Sequence, residues 1–243
     1  MYFDSLVTQL QDKTERAFYE LEINTKNITN INTPGYKKER VHTFDEILNG
    51  EDETQMLQKS MEPGKLNITH IHSDVSLEGQ GFFVLLNKHD ETVLTRNLNL
   101  GRNKDGYLTS GEDLVFPKVK VANNFSGIKV DTNGDVWGKK SDGSMVKVTT
   151  LEVVNYPAAD KLCFDGKYYY PTEEAGEAMH ACLGVKGQTM VRQETQEGSN
   201  VDGPLEFAKF NMVNQKISTL ARLNQLINTS QRDYIRTLTS AIG

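Results

Sequence analysis

The sequence predicts an α+β protein in which N- and C-terminal helices form a coiled-coil stalk and carry an inserted, mostly antiparallel all-β domain. Three observations predict it. An apolar heptad opens the chain, a longer one closes it, and short β-prone runs separated by turn signals fill the middle. The expected divisions are residues 1–36 for the first helix and its turn, 37–74 for a connector, 75–190 for the β-rich domain and 191–243 for the last helical segment.

In the first segment Val7, Thr14, Leu21 and Ile28 fall on one seam, and Phe3, Leu10, Ala17, Asn24 and Ile31 on its neighbour. Alternating spacings of three and four put both rows on one helix face, interrupted by Thr14 and Asn24. The helix must stop by Thr33, because the residue before Pro34 is pushed out of the helical region and Gly35 favours the turn that follows.

The connector is polar, with little regular structure expected. Beyond it come "GFFVLL", "TVLTRN", "GYLTS", "DLVFP", "IKVDTNGDVWG", "SMVKVTTLEVVNY" and "KYYY", interleaved with the hairpin dipeptides Asp105-Gly106, Asn133-Gly134 and Asp142-Gly143. The closing segment has Pro204 suited to a first helical turn. Phe210, Ile217, Asn224, Gln231 and Leu238 form one row; Val213, Leu220, Ile227, Tyr234 and Ala241 form the other. No Pro or Gly interrupts it from Pro204 to Ile242, so the helix would be about 39 residues and roughly 58 Å long. Each helix needs a partner for its apolar stripe, and the other terminus is the simplest one.

Bulk properties narrow the function. A net charge of -6 offers no basic field for nucleic acid. No apolar run reaches the ~18 residues of a membrane span, so no membrane insertion is expected. The opening "MYFDSLVTQLQDK" lacks the basic, apolar and small-residue regions of a cleavable secretory signal. Cys163 and Cys182 are too few for a disulfide framework and read as buried thiols.

Searches for chemistry return little. His70 and His72 would share a face if "NITHIHSD" were a strand, with Asp74 next on that face, but exposed histidines explain them better than a metal site. "DTNGDVWGKKSD" places Asp131, Asn133 and Asp135 like calcium ligands, yet has Val136 at the sixth position and Asp142 at the twelfth, so a hairpin is the better reading. "GQGFF" lacks the strand, third Gly and Lys-Ser/Thr of a nucleotide loop. No G-x-S-x-G nucleophile motif is present. No catalytic residue, cofactor or metal is expected. Lys37, Lys38 and Arg40 form a small basic cluster, read as a solvated loop or as a contact with acidic faces of adjacent subunits.

Three blocks give the chain a resemblance to the axial rod and hook proteins of the bacterial flagellum. "NTKNITNINTPGYKKERVHTF" (24–44) is similar to the family's Asn-rich N-x-x-N-x-x-T-x-G-[YF]-[KR] signature, on Asn24, Asn27, Asn30, Thr33, Gly35 and Tyr36. "SLEGQGFFVLL" with "TVLTRNLNLGRNKDGYLTSGEDLVF" resembles its Gly-x-Gly-Phe-Phe strand, Thr-Arg pair and Asp-Gly-x-Leu hairpin. "QEGSNVDGPLEFAKFNMV" resembles the Glu-x-Ser-Asn-Val that opens its final helix, on Glu197, Ser199, Asn200 and Val201. Two departures stand out: Leu98 where Arg-x-Gly-x-Phe has its Gly, and "NQKISTL" where an aromatic is usual.

The resemblance implies a self-assembling structural subunit of the basal-body rod, needed for flagellar motility and exported by the flagellar type III apparatus without a cleaved signal. Its partners would be copies of itself and neighbouring rod and hook proteins. The assembly seam would be Leu10, Leu21, Ile28 and Ile31 with Phe210, Val213, Ile217, Leu220, Ile227 and Tyr234. The short connector and overall length favour a proximal-rod type over a distal rod or hook type. A reading from a different class is a cell-wall carbohydrate-binding module using Trp137, Tyr156 and Tyr168 to Tyr170. The Pro-Gly stop then has a reason: the first helix packs against the longer last one, and the turn redirects the chain toward an outer domain. Asn24 on the seam, flanked by Asn27 and Asn30, would fix register.

Overall fold

The computed structural model describes residues 2–41, 57–184 and 189–242. They divide into two compact units. One comprises residues 2–29, 39–41, 57 and 202–242; the other comprises residues 30–38, 58–184 and 189–201. Residues 42–56 of the expected connector lie outside the described residues, as do the side chains of Phe3, Leu238 and Ala241 from the heptad rows.

The first unit is built on two helices, α1 (Tyr2–Thr29) and α2 (Gly203–Ile242). The Asp202 carboxylate accepts the Leu205 N–H at 3.2 Å, which caps the first turn of α2. Asn27 meets Glu206 and Glu20 meets Lys216, so the helices run antiparallel. Leu10, Ala17 and Leu220 are buried together, with Ile217 and Ile227 packed against them. Along α1 the buried face also takes in Ile23 and Asn27, which the heptad rows omit. A helix of 3.6 residues per turn drifts away from a strict seven-residue repeat, and the buried face drifts with it.

The second unit is an antiparallel β structure. Strand Phe82–Leu86 pairs along one edge with Thr92–Thr95 and along the other with Asp113–Val115 and Val153–Asn155. The sheet continues through Leu108–Ser110, Asn97–Arg102 and Asp74–Glu78 to Met190–Gln193. "GFFVLL" shows no polar alternation because both its faces are covered. Phe83 and Leu85 enter a core with Val75, Leu77, Val93 and Leu108, while Phe82 and Val84 enter another with Leu94, Leu162 and Tyr169. Leu98, at the departure from the family pattern, is buried in the first core.

A separate three-stranded sheet holds Phe125–Val130, Asp135–Lys140 and Met145–Thr150. Its turns close at Asn133-Gly134 and Asp142-Gly143, where each Gly has positive φ and donates to the carbonyl three residues back. Asp131 Oδ1 accepts the Asn133 and Asp135 amides at 2.9 and 3.0 Å, so this carboxylate braces the hairpin. β structure also reaches beyond the expected bounds of 75–190: Leu66–Ile68 pairs with Thr195–Glu197. Three residues are too short a run to mark a strand in sequence, and its pairing comes from a partner more than a hundred residues away.

Both cysteines are free, and both are exposed rather than buried. Alternation decides this at Cys163, whose neighbour Leu162 takes the inward position. His70 and His72 follow the Leu66–Ile68 strand rather than lying in it, and His70 has φ +58°. Among the described residues no group of three or more His, Cys, Asp or Glu is placed to hold a metal. No described helix is long and apolar enough to cross a membrane.

Candidate functional site

Within the second unit, the three sequence blocks that carry the family resemblance meet at one buried carboxylate. Glu197 is fully buried, and Arg96 and Lys37 are nearly so. Glu197 Oε1 accepts from Lys37 Nζ and from the Gly64 amide, both at 2.7 Å. Its Oε2 accepts from Arg96 Nε at 2.5 Å. Asn97 brackets the Glu197 backbone, its Oδ1 accepting the amide at 2.6 Å and its Nδ2 donating to the carbonyl at 3.0 Å.

Arg96 has further partners: it donates to the carbonyls of Gly79 (2.6 Å), Leu77 (3.3 Å) and Gly81. Carbonyls in the glycine-containing bend before strand Phe82–Leu86 thus serve as guanidinium acceptors. Arg suits such a place because its planar fork offers five fixed donors and never loses its charge.

The Pro34-Gly35 turn is held by the same cluster. Thr33 donates to the Asn30 carbonyl and Tyr36 to the Thr33 carbonyl, which puts Pro34 and Gly35 at the centre of a turn with Gly35 at φ +73°. Gly35 donates to the Glu197 carbonyl at 2.9 Å and accepts from the Tyr169 hydroxyl at 2.9 Å. A Cβ on Gly35 would come within 3.0 Å of Arg96 Cβ. Asn200 Oδ1 accepts the Lys38 amide at 2.6 Å, and its Nδ2 donates to the Ser60 and Glu62 carbonyls at 2.9 Å. Tyr36 stacks edge-on against Phe164, which packs on Tyr169.

Burial pushes the Lys37 amine down to about 8; Glu197 resists that change and the Arg96 charge adds to it. Burial, and then the Glu197 charge, push the Tyr169 hydroxyl up. Of the basic residues read as solvent-facing or as contacts with neighbouring subunits, Lys37 is therefore a correction: it points inward because Glu197 is its counter-ion, while Arg40 is exposed.

The first unit carries a second polar junction. Asn27 Nδ2 donates to the Glu39 carbonyl at 2.7 Å and to Glu206 at 3.2 Å, and its Oδ1 accepts the Glu39 amide at 2.9 Å. Lys26 bridges both Glu39 oxygens at 2.8 Å, and Lys209 pairs with Glu206 at 2.9 Å. Asn27 thus pairs with the backbone of strand Glu39–Val41 as another strand residue would.

The expected seam residues divide. Leu10, Val213 and Leu220 are buried, and Leu21, Ile28, Phe210, Ile217 and Ile227 are half-buried. Ile31 is half-buried past the end of α1, and Tyr234 is exposed. Among the signature residues Asn24, Asn27, Gly35, Tyr36 and Glu197 are buried; Asn30, Thr33, Ser199, Asn200 and Val201 are half-buried. Asn97 was not singled out from sequence; Lys37 was read in a basic cluster, Arg96 in the Thr-Arg pair and Tyr169 in a carbohydrate platform, and nothing in the sequence joined the four in one cluster. The available signal was a charge inside a strand-prone run, as at Arg96 in "TVLTRN".

The aromatics of the carbohydrate reading do not form one platform. Tyr169 turns into a core, Tyr168 donates to Asp113 and Tyr170 to Asp165.

Comparison with known proteins agrees with these blocks. The family model described as the flagellar hook protein FlgE/F/G D1 domain matches residues 76–138. The chain is similar to flagellar basal-body rod protein FlgG of Caulobacter vibrioides, 26% identical over 214 residues, covering 76% of this chain and 81% of the relative. It is similar to the FlgG protein of Bacillus subtilis, 24% identical over 250 residues, covering 86% and 92%. The FlgG protein of Borreliella burgdorferi is 22% identical over 219 residues, covering 75% and 79%.

Proposed function

We propose that the chain is a subunit of the basal-body rod, a structural protein of the flagellar rod and hook family rather than an enzyme; the matched D1 family model and the rod-named relatives support this reading. It assembles axially through its terminal helices and is needed for flagellum-driven motility. The observation that carries this reading is the apolar surface that the helix pair leaves uncovered. Met212, Leu223, Leu226 and Ile235 on α2 are 69%, 43%, 64% and 61% exposed, and Phe18 on α1 is 54% exposed. A helix pair with so much apolar side chain in water has surface to bury against neighbours, worth roughly 25 cal/mol per Å².

In this reading the seam formed by Leu10, Leu21, Ile28, Phe210, Val213, Ile217, Leu220 and Ile227 holds the two helices together as a coiled coil. Tyr234 and the exposed α2 residues meet copies of the subunit and neighbouring rod proteins. Export through the flagellar type III apparatus brings it to the rod, at a proximal position on the argument from length and connector. Rod-named relatives favour the rod over the hook.

The test is deletion of the gene and complementation with Met212→Asp and Leu226→Asp, which alter exposed residues, beside Val213→Asp and Leu220→Asp. Loss of motility and of rods in electron micrographs, unrescued by the exposed-residue variants, supports the proposal. Normal basal bodies in the deletion strain refute it. The stage at which assembly stops reads the position along the rod.

A further inference from the structure

We propose that residues 30–38 form a proton-linked strap: their docking within the β-rich unit is coupled to loss of a proton from Lys37, so the strap tightens as pH rises.

Charge balance is the first support. Lys37 and Arg96 are buried on one buried carboxylate, Glu197. With both cations charged the cluster holds one positive charge in excess, a costly arrangement away from water. Arg96 cannot release a proton, so the excess can leave only from Lys37.

Hydrogen-bond geometry is the second. Among the described residues two acceptors meet Lys37 Nζ, Glu197 Oε1 at 2.7 Å and the Glu62 carbonyl at 2.8 Å. A neutral amine carries two N–H groups and satisfies both, whereas an ammonium carries three. The other ionisable groups facing Lys37 are the Arg96 guanidinium, the exposed Glu62 carboxylate and the Tyr169 phenol, which is engaged with Gly35. Tyr169 stays protonated across the range of interest, since burial raises it.

The strap has a definable attachment: the Gly35 amide on the Glu197 carbonyl, the Gly35 carbonyl under Tyr169, and Asn200 on Tyr36 and Lys38. Docked, Lys37 titrates near 8; released into water, it returns to the ordinary lysine value of 10.5. Between these two values the free strap binds more protons than the docked one, so docking strengthens with pH. Below about 8 both forms are charged and the pH dependence vanishes. The direction is opposite to that of an exposed Lys–Glu pair, which weakens when its lysine discharges.

The experiment uses the full chain and two readouts. Cleavage by subtilisin within residues 30–38, normalised to a free peptide of that sequence at each pH, reports strap release, and cleavage in strand Phe82–Leu86 controls for global unfolding. Normalised strap cleavage should be flat from pH 6.5 to 7.5 and fall by up to about tenfold per unit above 8. In Lys37→Met it should not vary with pH. The second readout is the ¹³Cε titration of Lys37 in the unaltered protein, with a midpoint near 8. It decides the matter if the Met variant does not fold. A midpoint near 10.5, or the same slope persisting in Lys37→Met, overturns the proposal.

Discussion

The two units are held by different means. In the β-rich unit Val75, Leu77, Val93, Leu94 and Leu108 are fully buried, and a buried ionic cluster ties strands and turns that are remote in sequence. The helix pair buries one small cluster, Leu10, Ala17 and Leu220, and leaves much of its large apolar side chain in water. The first has the interior of a self-sufficient domain. The second has α-helical hydrogen bonds along 28 and 40 residues but a thin interior, and helices draw most of their stability from packing. The difference teaches that one chain can bury a full interior in one region and leave apolar surface exposed in another.

That contrast predicts two unfolding transitions, and substitutions should sort between them. The largest effect is expected from Glu197→Gln, which leaves Lys37 and Arg96 buried without a counter-ion; the β-unit transition should lose about 3–5 kcal/mol in chemical denaturation. Phe83→Ala removes a buried ring from the main core and should cost the same transition about 3–5 kcal/mol, with the helix signal near 222 nm melting as before. A helix transition that moved equally in either variant would show that the two regions unfold together and would break the comparison.

Smaller effects should fall on the helix pair. Asn27→Ala leaves the Glu39 amide and carbonyl without their side-chain partner and should destabilise the helices by about 1–3 kcal/mol. Asn24→Ala is its useful companion: a comparable loss there would show that Asn24 on the seam supports the helix pair as much as Asn27 does. Smallest is Glu20→Gln, which breaks a 3.1 Å pair with Lys216 that is partly exposed on both sides. It should change the helix transition by less than about 1 kcal/mol, and by less still at high salt.

How much of this was legible in sequence follows from which forces are local. The stop at Pro34-Gly35, the long uninterrupted α2 and the hairpins at Asn133-Gly134 and Asp142-Gly143 rest on backbone preferences of single residues, and each appears where those preferences put it. The short strand Leu66–Ile68 was not legible, because its apolar-polar-apolar alternation lasts only three residues and its pairing partner, Thr195–Glu197, lies far along the chain. Asn27 was visible as a signature residue, but its role was not. A heptad count marks which residues face another helix; it cannot show that an amide side chain will bond a strand's backbone.

By itself, then, the sequence determined two terminal helices, a turn-rich β region between them, and an absence of recognised catalytic motifs. Periodicity and turn chemistry operate over a few residues, so they can be read along the chain. Only the tertiary structure decided that Lys37, Arg96 and Glu197 share one buried site. Glu197 lies 160 residues from Lys37 and 101 from Arg96, and a charge shows no preference for burial until its partner is in place. Desolvation and pairing act at contact distance, and contact between such distant residues exists only after the sheet has formed.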